Sequence, residues 1–515
     1  MNKLFIDWNS SRWKLLTLVL AILVSVFVIT TIVLAILYGI ERNKKTDQQT
    51  SDVLASSLSV ASDQLNNRLI GKKDNGLFVC SLHVVLFLSD ILSSPSTNQI
   101  DELQAIANAR RLYNSCMNEE TDSVDILLEL INKELGGWPI LEGATWNNST
   151  FNLSNMLLKI AEYNLNAIYT IITINDEQNS SLYVAGIGQG SLGLAQPESY
   201  ASENALTKSY QQWMKDLAMT LTNVTSMIDD DVTSIFELEK KIAEVSWTTA
   251  EQIARQKDNV RTTVGNLSNT INSSIDFSKH FRHVYQLANV TLNDTEHVIV
   301  GELEYLRNVS NIITQYSSRT LQNYFIWRFM MTLIDYMPKQ FRATKQQFTQ
   351  TLDGTVSEEK RTVTCSANIN SLMGFALSRP YVLKYFDENA RNESLIMIEN
   401  IRNTFIEMIN QSNWMDSISK IKAMAKARAV VENVGYPDYV TSSNVTKLEK
   451  DYADYKFNLS YFQNGLTIAK LTAKNNYRLL RQSVDRQTWV FAPTKIEAAY
   501  NPPLNSMGEI LFFLI

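Results

Sequence analysis

The sequence predicts a mainly α fold: a membrane-anchored, multi-helix ectodomain lobe with a small β hairpin or sheet around residues 167–187. Three observations carry that prediction. Beyond Ser81, apolar residues recur at spacings of three and four through most of the chain. A single charge-free segment near the amino end is long enough to cross a bilayer. Asn-x-Ser/Thr acceptors crowd everything that follows that segment.

The charge-free segment is Leu15–Tyr38, 24 residues bracketed by Arg12 and Lys14 before and Glu41, Arg42, Lys44 and Lys45 after. At ~1.5 Å per residue such a helix spans the ~30 Å hydrocarbon layer. A cleaved signal peptide would have a shorter apolar core and a small-residue cleavage site, so the segment reads as a signal anchor. Residues 1–14 then form a cytoplasmic tail and 39–75 a polar stalk. Flanking charge is balanced and barely orients the helix; the acceptor asparagines do. Fourteen lie beyond the anchor: Asn147, Asn148, Asn152, Asn179, Asn223, Asn266, Asn272, Asn289, Asn293, Asn308, Asn392, Asn410, Asn444 and Asn458. Only Asn9 precedes it. A single-pass type II protein with a glycosylated extracellular or lumenal body is expected, at the plasma membrane or another secretory-pathway membrane.

Within that body, Ile126 to Leu135 has helical spacing and is stopped by Gly136-Gly137-Trp138-Pro139. Ala167–Ile174 and Leu182–Ile187 are rich in β-branched residues and read as strands. Ile235, Leu238, Ile242 and Val245 share one helix face, as do Ile398, Ile401, Phe405 and Ile409. Tyr324 to Met337 is apolar nearly all round, and its Arg328, Thr332 and Asp335 form one stripe on a buried helix.

Composition excludes several functions. Lys and Arg number 47 against 53 Asp and Glu, a net charge of −6 with interspersed signs. No basic stripe exists to meet nucleic acid. The Asp229-Asp230-Asp231 run lacks calcium-loop spacing and reads as a solvated helix start. Gly188-Gln189-Gly190-Ser191-Leu192-Gly193 matches a dinucleotide fingerprint, but Leu194-Ala195-Gln196-Pro197 follows instead of a helix; a glycine turn after a hairpin is the better reading. His280 and His283, three apart, lack a third ligand and read as exposed helix histidines. No His-Glu-x-x-His, Gly-x-Ser-x-Gly or phosphate loop occurs.

Several blocks, taken in order, resemble the neprilysin-like zinc metallopeptidases, membrane metalloendopeptidases. They are Ala109-Arg110-Arg111-Leu112-Tyr113-Asn114-Ser115-Cys116, Gly137-Trp138-Pro139, Leu192-Gly193-Leu194 and Phe236-Glu237-Leu238-Glu239-Lys240. Leu321-Gln322-Asn323-Tyr324 with Trp327-Arg328-Phe329 follows, then Trp414-Met415-Asp416 and Gly435-Tyr436-Pro437-Asp438. The resemblance implies that residues 76–507 form the family's mostly helical amino-terminal domain and that 508–515 is a divergent apolar tail. It implies a disulfide between Cys116 and Cys365, the alternative being two free buried thiols; an extracytoplasmic setting permits the bond. It also likens Ile496-Glu497-Ala498-Ala499-Tyr500 to a substrate-binding edge strand. Ala498 keeps the family residue, whereas Glu497 replaces an asparagine and loses the amide's donor.

The departures are as informative. The family's cysteine-rich entry near residue 75 is reduced to Gly76-Leu77-Phe78-Val79-Cys80, and the zinc helix with its third-ligand glutamate is absent from these residues. Intact relatives use zinc to activate a water. The expectation is therefore no catalytic residue, no metal ligand and no cofactor in this chain, hence no peptide hydrolysis as written. Two alternatives stay open: a non-catalytic ectodomain that binds extracellular peptides or pairs with a related peptidase subunit, and an incompletely recorded active enzyme.

Overall fold

The structure is a computed structural model that describes residues 75–94, 103–118 and 123–510. The expected tail, anchor and most of the stalk lie outside the described residues. Among those described, no helix is long and apolar enough to cross a membrane.

The described chain is mostly helical. Its principal helices are α1 (Gln104–Met117), α2 (Ala205–Leu221), α3 (Ile228–Val245), α4 (Phe277–Gln286), α5 (Ser318–Leu333), α6 (Arg361–Tyr385), α7 (Glu388–Gln411), α8 (Ser417–Arg428) and α9 (Tyr461–Tyr477). Two small sheets accompany them. One has the order β1-β2-β4-β3, from β1 (Tyr169–Asn175), β2 (Tyr183–Gln189), β3 (Val260–Thr263) and β4 (His297–Val300). The other has the order β5-β7-β6, from β5 (Val431–Val434), β6 (Glu497–Asn501) and β7 (Ser506–Ile510). The β1–β2 hairpin is where the sequence places it. β3 and β4, four residues each, extend that sheet and carry too little pattern to read in advance.

Two compact units share this material. The larger holds residues 92–94, 103–118, 123–376 and 446–488; the smaller holds 75–91, 377–445 and 489–510.

In the larger unit α5 is the central element. Every residue from Thr320 to Met330 is buried. Most of its polar side-chain atoms are matched to partners, since a buried polar group without one is costly; Asn323 Nδ2 and Arg328 Nε are the exceptions among them. The Gln322 amide donates to the carbonyls of Leu135 (2.5 Å) and Gly137 (2.7 Å), and the Asn323 side-chain oxygen accepts from Ile140 N at 2.9 Å. The helix Ser123–Glu134 stops where predicted: Gly136 and Gly137 take φ of 82° and 84°, which side-chain-bearing residues rarely adopt. The predicted polar stripe survives only at Arg328. Thr332 and Asp335 are exposed, while their neighbours Leu333, Ile334 and Met337 are the residues that turn into the core. The acidic run is likewise divided. Asp229 and Asp230 are solvated, whereas Asp231 is buried against Arg319, with Oδ2 2.6 Å from Nη2.

The disulfide expected from the resemblance forms between Cys116 and Cys365, with Cα atoms 5.8 Å apart across 249 residues of sequence. It ties α1 to α6, and Arg361 Nε reinforces the joint by donating to the Cys116 carbonyl at 2.8 Å.

In the smaller unit, α7 packs beside α8 and β5. Arg391 donates to the carbonyls of Val434 and Tyr436, and Arg402 to that of Val430. Asp416 caps α8, accepting from the amides of Ile418 and Ser419 at 2.9 Å each. That cap accounts for the aspartate of the Trp-Met-Asp block.

Candidate functional site

Two places concentrate the residues that the sequence singles out. The first is a buried ion pair in the larger unit, where three blocks distant in sequence converge. Arg328 on α5 donates to Glu239 on α3 at 2.9 Å, and the two side chains are 6% and 0% exposed. The loop after β2 closes over them. Ser191 accepts from the guanidinium through its carbonyl (2.7 Å) and its hydroxyl (3.1 Å), and Gly193 N donates to Glu239 at 2.9 Å. Tyr210 OH completes the carboxylate's shell at 2.9 Å and accepts from Trp327 Nε1 at 2.8 Å.

Burial by itself opposes charge on Arg328, but Tyr324 and Glu239 beside it more than offset this and raise its pKa. Burial, with Glu239 next to it, pushes the Tyr210 hydroxyl well above its ordinary value. The pair is sealed from solvent and held by the loop and helices around it, so it organises the fold. It also explains the glycine-rich decoy. A Cβ on Gly193 would lie 2.0 Å from the Tyr210 oxygen, so glycine serves close approach here, not phosphate binding.

His280 departs from expectation. It is 1% exposed, on the same face of α4 as Phe277, Phe281 and Val284, because that helix is strongly amphipathic. Its Nδ1 meets Tyr169 OH and its Nε2 lies 3.3 Å from Ser154 Oγ. Burial pushes its pKa down to about 4, with Asp276 acting upward and Lys279 and His283 downward. His283 is half-buried, with Nε2 3.4 Å from Glu162.

The second place is the β5-β7-β6 sheet of the smaller unit. β6 carries the predicted edge residues, and among the described residues it pairs only with β7, so one of its sides has no strand partner there. Ala498 is exposed opposite Glu509, and Glu497 is half-buried in an ion pair with Lys495. Such an edge offers main-chain groups to an extended peptide. Beside it lies a groove of about 550 Å³ lined by Phe405, Met408, Trp414, Ala427, Val430 and Tyr500. A smaller hollow of about 130 Å³, lined by Trp489, Phe491 and Tyr500, adjoins the strand. Sequence reasoning placed the strand but not the groove, since its walls come from α7 and α8.

Zinc can be tested against the donors present. Among the described residues no three His, Cys, Asp or Glu side chains converge on a metal position. His280 is committed to Tyr169 and Ser154. The described residues do not fit a catalytic zinc, which needs three protein ligands and an open position. All fourteen acceptor asparagines beyond the predicted anchor are exposed.

Comparison with known proteins defines the class to which this architecture belongs. Residues 81–437 match the amino-terminal profile of peptidase family M13, and the chain belongs to that family. Its curated relatives are neprilysin-like. It is 29% identical over 428 residues to membrane metallo-endopeptidase-like 1 of Mus musculus, covering 78% of this chain and 55% of the relative. It is 27% identical over 443 residues to Mus musculus neprilysin, covering 82% and 58% respectively. The chain thus spans little more than half the length of these relatives. Among solved structures, PepO of Lactobacillus rhamnosis HN001 superposes with a TM-score of 0.69 at 16% identity over 86% of this chain and 67% of that one. The inhibitor complex of the Mycobacterium tuberculosis zinc metalloprotease Zmp1 gives 0.68 at 17% identity, over 85% and 64%. These two establish likeness of fold.

Proposed function

We propose that this chain is the anchored scaffold portion of a neprilysin-like membrane metallopeptidase, and that these 515 residues alone do not hydrolyse peptides. In this reading Leu15–Tyr38 holds the protein in a plasma or secretory-pathway membrane as a single-pass type II protein, its exposed acceptor asparagines glycosylated. β6 presents Ala498 and Glu497 to an extended peptide. The observation that carries the reading is the strand edge: among the described residues β6 pairs with β7 on one side only, which leaves main-chain groups on its other side for an extended peptide. Hydrolysis of a bound peptide would require a metal-activated water or another activated nucleophile.

The full chain, expressed in glycosylating cells and purified in detergent, tests this. It is expected to lose the mass of many glycans on glycosidase treatment and to contain no stoichiometric zinc. It should also leave a fluorogenic peptide uncleaved. Stoichiometric zinc with inhibitor-sensitive cleavage would overturn the proposal, and an unchanged mass would overturn the topology.

The exposed apolar groove favours a second reading, a non-catalytic ectodomain that binds peptides or pairs with a related peptidase subunit. A third, an incompletely recorded active enzyme, is decided by sequencing the transcript through the Ile515 codon. Continuation into His-Glu-x-x-His would make β6 part of a working site.

A further inference from the structure

Five of the fourteen acceptor asparagines, Asn266, Asn272, Asn289, Asn293 and Asn308, lie between residues 266 and 308 of the larger unit. Packing draws them closer than sequence does. The short helix Leu267–Ile271 is the hub, with Asn266 just before it and Asn272 just after it. Arg307 donates to the carbonyls of Thr270 (2.8 Å) and Ile271 (3.0 Å), so Asn308 and Asn272 each lie one residue from a direct contact. Gly265 N donates to the Asp294 carbonyl at 2.9 Å, which does the same for Asn266 and Asn293. Asn289 shares a loop with Asn293. Arg481 holds that loop through the Thr291 carbonyl at 2.9 Å, and Arg282 holds it through Asp294.

All five residues are exposed. Among the described residues between 254 and 351 no large apolar side chain is exposed, so this face offers little to an apolar protein partner. The attachment atoms can be released without loss. Asn266 Nδ2 reaches the hydroxyls of Thr262 and Thr270 only at 3.4 Å each, and those hydroxyls pair with each other at 2.8 Å. Asn272 and Asn289 take φ of 55° and 59°, a region where asparagine is favoured among side-chain-bearing residues. The fold therefore fixes where these glycans are rooted. Asn392 and Asn410 give the contrast, ~27 Å apart along α7 at ~1.5 Å per residue. Glycans are bulky, and a trimming enzyme must surround a branch to cut it. Glycans rooted a residue from a shared contact shield one another; those on α7 stand clear of each other.

We propose that the face around Leu267–Ile271 carries crowded N-glycans that stay in the oligomannose form and docks a mannose-specific lectin. The inference rests on the extracytoplasmic placement proposed above. Several mannose-rich arms on one rigid face raise avidity beyond that of a single arm.

The test expresses the full chain in cultured mammalian cells, recovers it from the cell surface and reads its glycopeptides by mass spectrometry before and after endoglycosidase H. The ratio of oligomannose to complex forms at the five acceptors should exceed that at Asn392 and Asn410 at least tenfold. Ser274→Ala with Thr295→Ala removes the acceptor motifs of Asn272 and Asn293 at exposed positions and keeps both asparagines. Asn266 and Asn308 should then shift at least tenfold toward complex forms, and capture by an immobilised mannose-specific lectin should fall at least tenfold. Asn392→Gln should change neither. Ser268→Ala, which removes the Asn266 motif, gives the same reading at Asn293 if the paired change impairs folding.

Equal processing at the cluster and on α7, whether all complex or all oligomannose, would overturn the proposal. So would a thinned cluster whose remaining glycans stay oligomannose, or a bare cluster beside glycosylated Asn392 and Asn410. Absence of glycan from every acceptor is a different result: it overturns the extracytoplasmic placement itself, and the proposal with it.

Discussion

Helices α5 and α7 are both apolar over much of their length, yet the two units treat them oppositely. Around α5 even the charges are enclosed, with Arg328 and Glu239 locked together under the loop that follows β2. On α7 only Ser394, Ile398 and Ile409 are buried among the side chains, and Ile401 and Phe405 face solvent. The larger unit encloses even its charged side chains at α5, while α7 in the smaller unit leaves large apolar side chains exposed. Substitutions in the two places should therefore behave differently.

The largest effect is expected at the enclosed pair. Arg328→Met leaves Glu239 buried without its partner and should cost about 3–5 kcal/mol in denaturant unfolding. A cost below about 1 kcal/mol would show that the pair is solvated after all. Next comes the disulfide. Cys116→Ser releases a loop closed across 249 residues and should lower stability by about 2–5 kcal/mol, read as a lower denaturation midpoint that reducing agent reproduces in the parent protein.

His280 gives a pH signature to the larger unit. Its folded pKa of about 4 lies below the ordinary 6.5, so the unfolded chain takes up the proton first as pH falls. Its contribution is complete above pH 6.5, declines between 6.5 and 4, and is flat below. The loss across that window is about 3 kcal/mol. His280→Phe should remove that part of the slope; a parent protein with no decline would contradict it. The smallest effect belongs to the open face. Phe405→Ser, on a side chain 53% exposed, should change stability by less than about 0.5 kcal/mol while weakening binding of a hydrophobic dye. A large loss would mean that α7 is covered.

Much of the fold was legible in the sequence because it is local. The β1–β2 hairpin, the Gly136-Gly137 stop and the α3 stripe follow from short-range pattern. The Cys116–Cys365 bond came only through the family resemblance, since spacing cannot pair cysteines so far apart. Periodicity grouped Ile398, Ile401, Phe405 and Ile409 correctly on one face but could not say that half of it stays open. Which neighbour covers a face is a long-range fact. The same limit hid His280: its spacing fits an exposed helix, and only Tyr169 and Ser154 from other elements reveal its burial. At the candidate site, the strand bearing Glu497 and Ala498 came through the family resemblance, whereas the groove beside it needed α7 and α8 in place.

The most direct measurement is metal and activity together on the purified, glycosylated full chain: zinc by elemental analysis, alongside cleavage of a fluorogenic peptide. The account predicts less than a tenth of a zinc per chain, on the order expected without a three-ligand site, and no cleavage above buffer. One zinc per chain with inhibitor-sensitive turnover would contradict it.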